Sequence, residues 1–231
     1  MVMLNTKFVD SWEDESKRPL FIYITGCDGT GKSTQATLML DQLVAQRMRP
    51  SHLWLRFPFL FSLPLLAYAR WQELSWTEEH GDVRHGYWYF QHSRLLRMLF
   101  PWVLLLDATI ATLLKVTIPQ RQGEPIVCER FVLDMLVDMT LAFGEDMQLT
   151  VPGKLFLHLL PRHARIIILD LDEETVKKRR PDLKLDKRLG ERLAAFRRLA
   201  VDLSLPVLSS RAPIFDLNEH IKEAIGVADG S

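Results

Sequence analysis

The stretch LFIYITGCDGTGKSTQA, residues 20 to 36, decides the fold. Leu20 to Thr25 is a short β-prone run, and Gly26-Cys27-Asp28-Gly29-Thr30-Gly31-Lys32-Ser33 follows it directly. That spacing fits G-x-x-x-x-G-K-[ST]. Glycines let successive backbone N–H groups turn inward, and inward-pointing N–H groups converge on an anion. After Thr34, the apolar positions Ala36, Leu38, Leu40, Leu43 and Val44 predict a helix. Its amino end presents the positive end of its dipole to the same anion. Residues 26–34 therefore read as a polyphosphate cradle, with Lys32 reaching the β and γ phosphates and the Ser33 hydroxyl ligating Mg²⁺.

Working outward, strand-like runs recur at Leu20–Thr25, His52–Phe57, Pro125–Cys128, Arg165–Asp170 and Pro206–Leu208, with helical patterns between them. Continuous apolar runs such as Ile166–Leu169 suit central parallel strands covered on both faces. The alternation predicts an α/β chain: a three-layer P-loop NTPase fold with a five-stranded parallel sheet and helices on both faces. Residues 1–19 read as a leader and 20–231 as one domain, with a mobile lid at about 177–190.

Composition narrows the partners. Lysine plus arginine number 29 and aspartate plus glutamate 29, so no global field favours a nucleic acid polymer. Cys27 and Cys128 are the two cysteines, without metal-ligand spacing, which suits a reducing, cytoplasmic setting. The amino-terminal residues mix charges and lack a long apolar core, unlike a signal peptide. The most apolar stretches are His52–Arg70, interrupted by Arg56, Pro58 and Pro64, and Phe100–Ile118, interrupted by Asp107 and Lys115. Burial or a subunit interface is expected for both, with no transmembrane segment.

In open α/β sheets ligands gather at the carboxyl ends of the strands. After the third run stand Glu129 and Arg130: a carboxylate able to hold Mg²⁺ directly or through water, and a guanidinium able to fork onto a phosphate. A structural ion pair is the plainer alternative. Arg56 and Phe57, after the second run, suit an acceptor phosphate or an ordinary ion pair equally. Phe90 and Arg94 stand i and i+4 in a helical reading, so a base could stack on one and bond to the other, although aromatics at this spacing often belong to a core. Asp172 is expected to cap the helix carrying Thr175 to Arg180. From Lys177 to Arg198 there are ten basic residues against three acidic ones, a solvated helix face or a phosphate clamp.

These motifs resemble the thymidylate kinase family, within the nucleoside monophosphate kinases, over roughly residues 20 to 225. The loop resembles that family's G-x-D-G-x-G-K-S-T-Q form. Arg56-Phe57-Pro58, Phe90 to Arg94, Val127 to Phe131, Ile168 to Asp172 and the basic segment follow in family order. The resemblance implies ATP and Mg²⁺ as cofactors, a nucleoside monophosphate (dTMP foremost) as acceptor, and a homodimer with its seam near Trp102–Leu114. It implies that Asp28 approaches the acceptor sugar, Arg130 grips its phosphate, and Phe90 with Arg94 holds the base. Some members carry an arginine in the loop where this chain has Gly29, which leaves Arg179, Arg180 or Arg188 of the lid to supply it.

Three departures are visible. Glu129 replaces the usual aspartate, Phe131 the usual tyrosine, and Phe59 to Pro64 lacks the family's charged and glycine residues. Two other readings therefore stand beside dTMP kinase. One is a deoxynucleoside kinase, whose glutamate–arginine pair Glu129-Arg130 also resembles. The other is a nucleotide-binding switch or scaffold with an apolar 57–66 surface and no kinase activity.

Overall fold

The computed structural model describes residues 19–57, 60–80 and 83–226. The leader up to residue 18, and Pro58 and Phe59 of the acceptor-side motif, lie outside the described residues.

Phe21, Ile22, Tyr23 and Ile24 are wholly buried because β1 (Phe21–Gly26) is the middle strand of the main sheet. The five strands run parallel in the order β2 (Ser51–Trp54), β5 (Ile126–Arg130), β1, β6 (Arg165–Asp170), β7 (Val207–Ser209). Successive side chains of a strand point to opposite faces, and β1 shows it. Phe21 and Tyr23 join the larger core with α3 (Arg94–Thr112), α5 (Val132–Phe143) and α8 (Leu189–Leu203). Ile22 and Ile24 join the smaller one with α1 (Lys32–Ala45) and α9 (Ile214–Ile225). The chain is thus an α/β protein with a five-stranded parallel sheet between two helical layers.

Two boundaries differ from the sequence expectation, with consequences for the site. The third strand does not end at Cys128. Glu129 and Arg130 belong to β5, with Trp54 opposite Arg130 after a register shift at Leu53/Trp54. That irregularity ends β2 at Trp54, short of the expected Phe57, so Arg56 and Phe57 leave the sheet edge.

The sequence reading also missed an antiparallel hairpin, β3 (Ser75–His80) with β4 (Val83–Trp88). It changes the meaning of the aromatic stretch that follows. Phe90–His92 form a short 3-10 turn, and Ser93 is extended (φ −120°, ψ 119°), capping α3 through its hydroxyl at 3.4 Å from the Leu96 amide. The expected helix carrying Phe90 and Arg94 on one side does not exist, because the Ser93 cap breaks the period between them.

α2 (Leu63–Trp71) leads to the hairpin, and α3 continues through a π-helical turn (Leu113–Thr117) into α4 (Ile118–Arg121). This continuous helix, Arg94–Arg121, is long and apolar enough to cross a membrane by length and composition alone. Leu96, Phe100, Leu104, Ala108 and Val116 pack into the core, while Leu95, Leu99, Trp102, Leu106 and Leu113 on another face are exposed. The expectation of burial holds for one face. Asp107 is buried as a clamp: its carboxylate accepts the amides of Leu60, Phe61 and Ser62 at 2.9–3.0 Å and the Ser62 hydroxyl at 2.6 Å. The apolar segment it holds leaves Leu60, Phe61 and Leu63 exposed.

α6 (Val151–Leu157) precedes β6, and α7 (Glu173–Arg179) follows it. Asp172 caps α7, accepting the Thr175 amide at 2.9 Å. Residues 177–190 comprise the end of α7, a 3-10 turn at Pro181–Leu185 and the start of α8. Leu183 and Leu189 are buried, and the Asp186 carboxylate accepts from the Tyr87 hydroxyl at 3.3 Å, which ties this segment to β4.

Candidate functional site

The connection from β1 to α1 is possible only with glycine at two points. A Cβ on Gly26 (φ +141°) would lie 2.2 Å from the Leu169 carbonyl oxygen, so β6 could not sit where it does. Gly29 (φ +84°) lies under α7, where a Cβ would come 3.1 Å from Val176 and 3.2 Å from the Arg180 stem. A side chain at position 29 would crowd Val176 and Arg180, and Arg180 covers that spot. Gly31 forms the amino end of α1 without a side-chain cap, so its first-turn amides have no side-chain acceptor there.

The loop's side chains are largely occupied by one another. The buried Thr30 hydroxyl donates to the Cys27 carbonyl at 2.8 Å. The Lys32 ammonium donates to the same carbonyl at 2.7 Å and lies 3.5 Å from the Asp28 carboxylate. Burial pulls the Lys32 amine below its ordinary value, and Asp28 opposes that pull. Burial would raise the Asp28 carboxyl, but the charges of Lys32, Arg130, Arg56 and Arg192 together hold it well below the usual range. Burial pushes the Cys27 thiol up to about 11, so it is not a thiolate nucleophile at neutral pH. Ser33 and Thr34, the next residues of the cradle, are exposed in the first turn of α1.

Arg130 connects the loop to the layer behind it. Its guanidinium contacts Asp28 on one side and Asp134 on the other, the second at 3.4 Å. Asp134 is buried in the first turn of α5, where it accepts from the Tyr23 hydroxyl at 2.7 Å and the Thr25 hydroxyl at 2.9 Å. The Tyr23 hydroxyl in turn accepts the Phe131 and Leu133 amides at 3.1 Å. Every member has partners, which is what a buried polar network requires. Burial raises the Asp134 carboxyl, with Arg130 and Lys32 opposing.

Ser33 and Glu129 touch: the Ser33 hydroxyl donates to the Glu129 carboxylate, whose other oxygen lies 3.0 Å from His52 Nε2. Two adjacent oxygen ligands at a helix amino end fit a hard cation such as Mg²⁺ that keeps water and substrate oxygens as its other ligands. Among the described residues no group of three His, Cys, Asp or Glu side chains could hold a metal, so an all-protein cage is not on offer.

Beside the loop lies a cavity of about 250 Å³. Its apolar wall includes Phe57, Trp88, Phe90 and Phe100, and its polar lining is Arg56, Asp138, Arg188 and Arg192. The volume falls just under the roughly 300 Å³ low end of small-molecule pockets. Arg56 is committed to Asp138 through Nε at 2.7 Å and Nη2 at 3.1 Å. Arg188 donates to the Leu141 carbonyl at 2.8 Å and lies over the Tyr89 ring, 4.8 Å from its centre. Arg192 donates through Nη1 to Asp186 at 2.7 Å, but its buried Nε has no partner among the described residues. Leaving such a donor unmatched costs about 1–3 kcal/mol.

The expected site residues therefore divide. Gly26 to Ser33, Glu129 and Arg130 come together around the loop, and Arg56, Phe57, Phe90 and Arg188 line the cavity. Phe90 is a core ring, packed on Phe100 and Phe143 at 4.7 and 5.4 Å between centres, with part of its surface in the cavity wall. Arg94 is solvent-exposed and outside that lining. Among the arginines of the expected lid, Arg179 bonds the Ser210 carbonyl at 2.8 Å, and Arg180 forks onto Asp182 at 2.7–2.8 Å. The basic run is mostly paired: Lys177, Lys178, Lys187, Arg197 and Arg198 each have a carboxylate partner.

Asp134, Asp138, Arg192, Tyr23 and His52 belong to this constellation and were not anticipated. A signal existed for the first two: aspartates one turn apart in the otherwise apolar VLDMLVDM of α5. Arg192 was hidden in a basic run. No protein-family model matches the chain, and comparison with the curated proteins returns no match.

Proposed function

We propose that the chain is an ATP- and Mg²⁺-dependent phosphotransferase acting on a nucleoside monophosphate, with dTMP the first acceptor to test, and that residues 26–33 are a P-loop. One observation carries this reading: Lys32, Asp28, Arg130, Ser33 and Glu129 gather around a glycine-rich turn. ATP would lie with its phosphates against the 26–33 amides and Lys32. Ser33 and Glu129 would hold Mg²⁺, which would supply charge neutralisation to the transferring group. An acceptor phosphate oxygen attacks the γ phosphorus, the bond to the β–γ bridging oxygen breaks, and ADP leaves. Positioning and charge neutralisation suffice for such a transfer. Arg180, over Gly29, is the lid arginine whose release from Asp182 brings a cation to the transferred group.

The deoxynucleoside kinase reading needs Glu129 as a base toward a neutral 5′ hydroxyl. Glu129 instead contacts Ser33 and His52, an arrangement better suited to holding a cation. ADP release measured with each nucleoside monophosphate and with thymidine tests the proposal. Turnover with dTMP above thymidine is expected, and no acceleration by any monophosphate rejects it.

The exposed stripe Leu95, Leu99, Trp102, Leu106 and Leu113 runs about 27 Å along α3 into the π-helical turn at the 1.5 Å helical rise, and supports the homodimer. Sedimentation equilibrium reads it: a dimer is expected, reverting to monomer in Leu106→Glu.

A further inference from the structure

Three guanidiniums, Arg56, Arg188 and Arg192, line the cavity with one carboxylate, Asp138. Glu191 lies 3.5 Å from Arg188 Nε. Asp186 stands behind Arg192. What separates the three is how much of each fork is already spent. Arg56 presents its bidentate edge, Nε and Nη2, to Asp138. Arg188 gives Nη1 to the Leu141 and Trp88 carbonyls and rests its plane on Tyr89. Arg130, next to the loop, is shared between Asp28 and Asp134. Arg192 is anchored by Nη1 alone, and its buried Nε–H is unclaimed. Nε and its neighbouring Nη form the edge that forks onto a phosphate with two parallel hydrogen bonds.

Location adds a second, independent reason. Burial would lower the charge on Arg192, but Asp138 and Asp186 outweigh it and keep the guanidinium cationic. The fields of both Arg192 and Arg56 reach Asp28 in the loop. Arg188, over Tyr89 and beside Trp88, sits with the aromatic wall. An occupant with one anionic end and one flat apolar end would enter with the anion toward Arg192.

We propose that Arg192 is the residue that binds the acceptor's anionic group and so makes this cavity select a phosphorylated acceptor over its unphosphorylated nucleoside. This rests on the phosphotransferase reading for the identity of the acceptor, but not for the anion site itself. Asp186 positions the Arg192 fork, and Trp88 with Phe57 bounds the apolar end. A neutral acceptor leaves the Nε–H as unmatched as it is in the free chain, so only an anionic acceptor gains by pairing with it.

Calorimetry without ATP tests it with three probes: dTMP, thymidine and inorganic phosphate. Wild type is expected to bind dTMP at least about tenfold more tightly than thymidine, as one charge-assisted contact allows. Arg192→Gln should reduce that preference to within about threefold while leaving thymidine affinity and ATP affinity unchanged. Arg192→Lys keeps the charge without the fork and should fall between. Thermal melting of each variant identifies any that does not fold, and Arg192→Lys then decides alone. Retention of the full dTMP preference in the folded variants overturns the proposal. If wild type binds neither nucleotide nor nucleoside, the nucleotide reading fails. The anion site then stands or falls on whether wild type binds phosphate and Arg192→Gln does not.

Discussion

The glycine loop and the cavity beside it are built by opposite means. The loop comes from eight consecutive residues, and its shape is enforced by the backbone: Gly26 against the Leu169 carbonyl, Gly29 under α7. The cavity is assembled from separate parts of the chain, with Arg56 beyond β2, Trp88 ending β4, Phe100 on α3, Asp138 on α5 and Arg192 on α8. The charges at the loop are satisfied, Lys32 by Asp28 within it and Asp28 by Arg130 of β5. The cavity leaves one donor open. A short motif supplies most of the first arrangement; the second depends on how distant elements dock.

Substitutions can strain that contrast from either side. Lys32→Ala removes the loop's own cation and should lower phosphoryl-transfer turnover by about 10²–10³-fold, the scale for losing one preorganised donor, in a coupled ADP assay. Gly26→Ala tests backbone enforcement. The added methyl strikes a carbonyl at 2.2 Å, so denaturant unfolding should show a loss of about 3 kcal/mol, the upper end for strained backbone residues. If Gly26→Ala is neutral, the loop is not shaped as described.

Asp28→Asn should cost about 2 kcal/mol at pH 7, in the range of hydrogen bonds to charged groups, and the loss should depend on pH. The Asp28 carboxyl lies below its ordinary 3.8 in the folded chain. Its contribution is therefore present above that ordinary value and lost as pH falls below it toward the folded value. The stability gap between wild type and Asp28→Asn should narrow from pH 6 to pH 3, and a constant gap contradicts the pairing. Asp134 has the reverse sign: its carboxyl is raised, so its contribution is fully present below the ordinary value and lost as pH rises through the folded one. Arg94→Ala, outside the cavity, should change KM for dTMP by no more than about twofold, the scale of a surface substitution. A tenfold rise would return Arg94 to the site.

What the sequence disclosed follows the same division. The β1–loop–α1 unit was legible because the strand run, glycine spacing and helical period lie side by side within residues 20–45. The parallel sheet was legible from apolar runs, because buried central strands tolerate little else. The hairpin β3–β4 was not: its first strand reads Ser75-Trp76-Thr77-Glu78-Glu79-His80, polar and short of apolar alternation. Missing it led to a helical reading of Phe90 and Arg94 that the Ser93 cap interrupts. The commitment of Arg56 to Asp138 joins residues 82 positions apart, and that of Arg192 to Asp186 is local but concealed among many cations. No periodicity says which arginine of a basic run turns inward.

One feature of α5 reaches further than its own packing. Asp134 and Asp138 stand one helical turn apart, the first holding Arg130 against the loop and the second holding Arg56 at the cavity. A rigid rod with two hooks sets a span, about 6 Å along its axis. Any sliding of this rod carries both guanidiniums together, so the distance between them is conserved even when the surrounding walls breathe. In the phosphotransferase proposed above, that shared span would keep the loop-side and cavity-side guanidiniums in register.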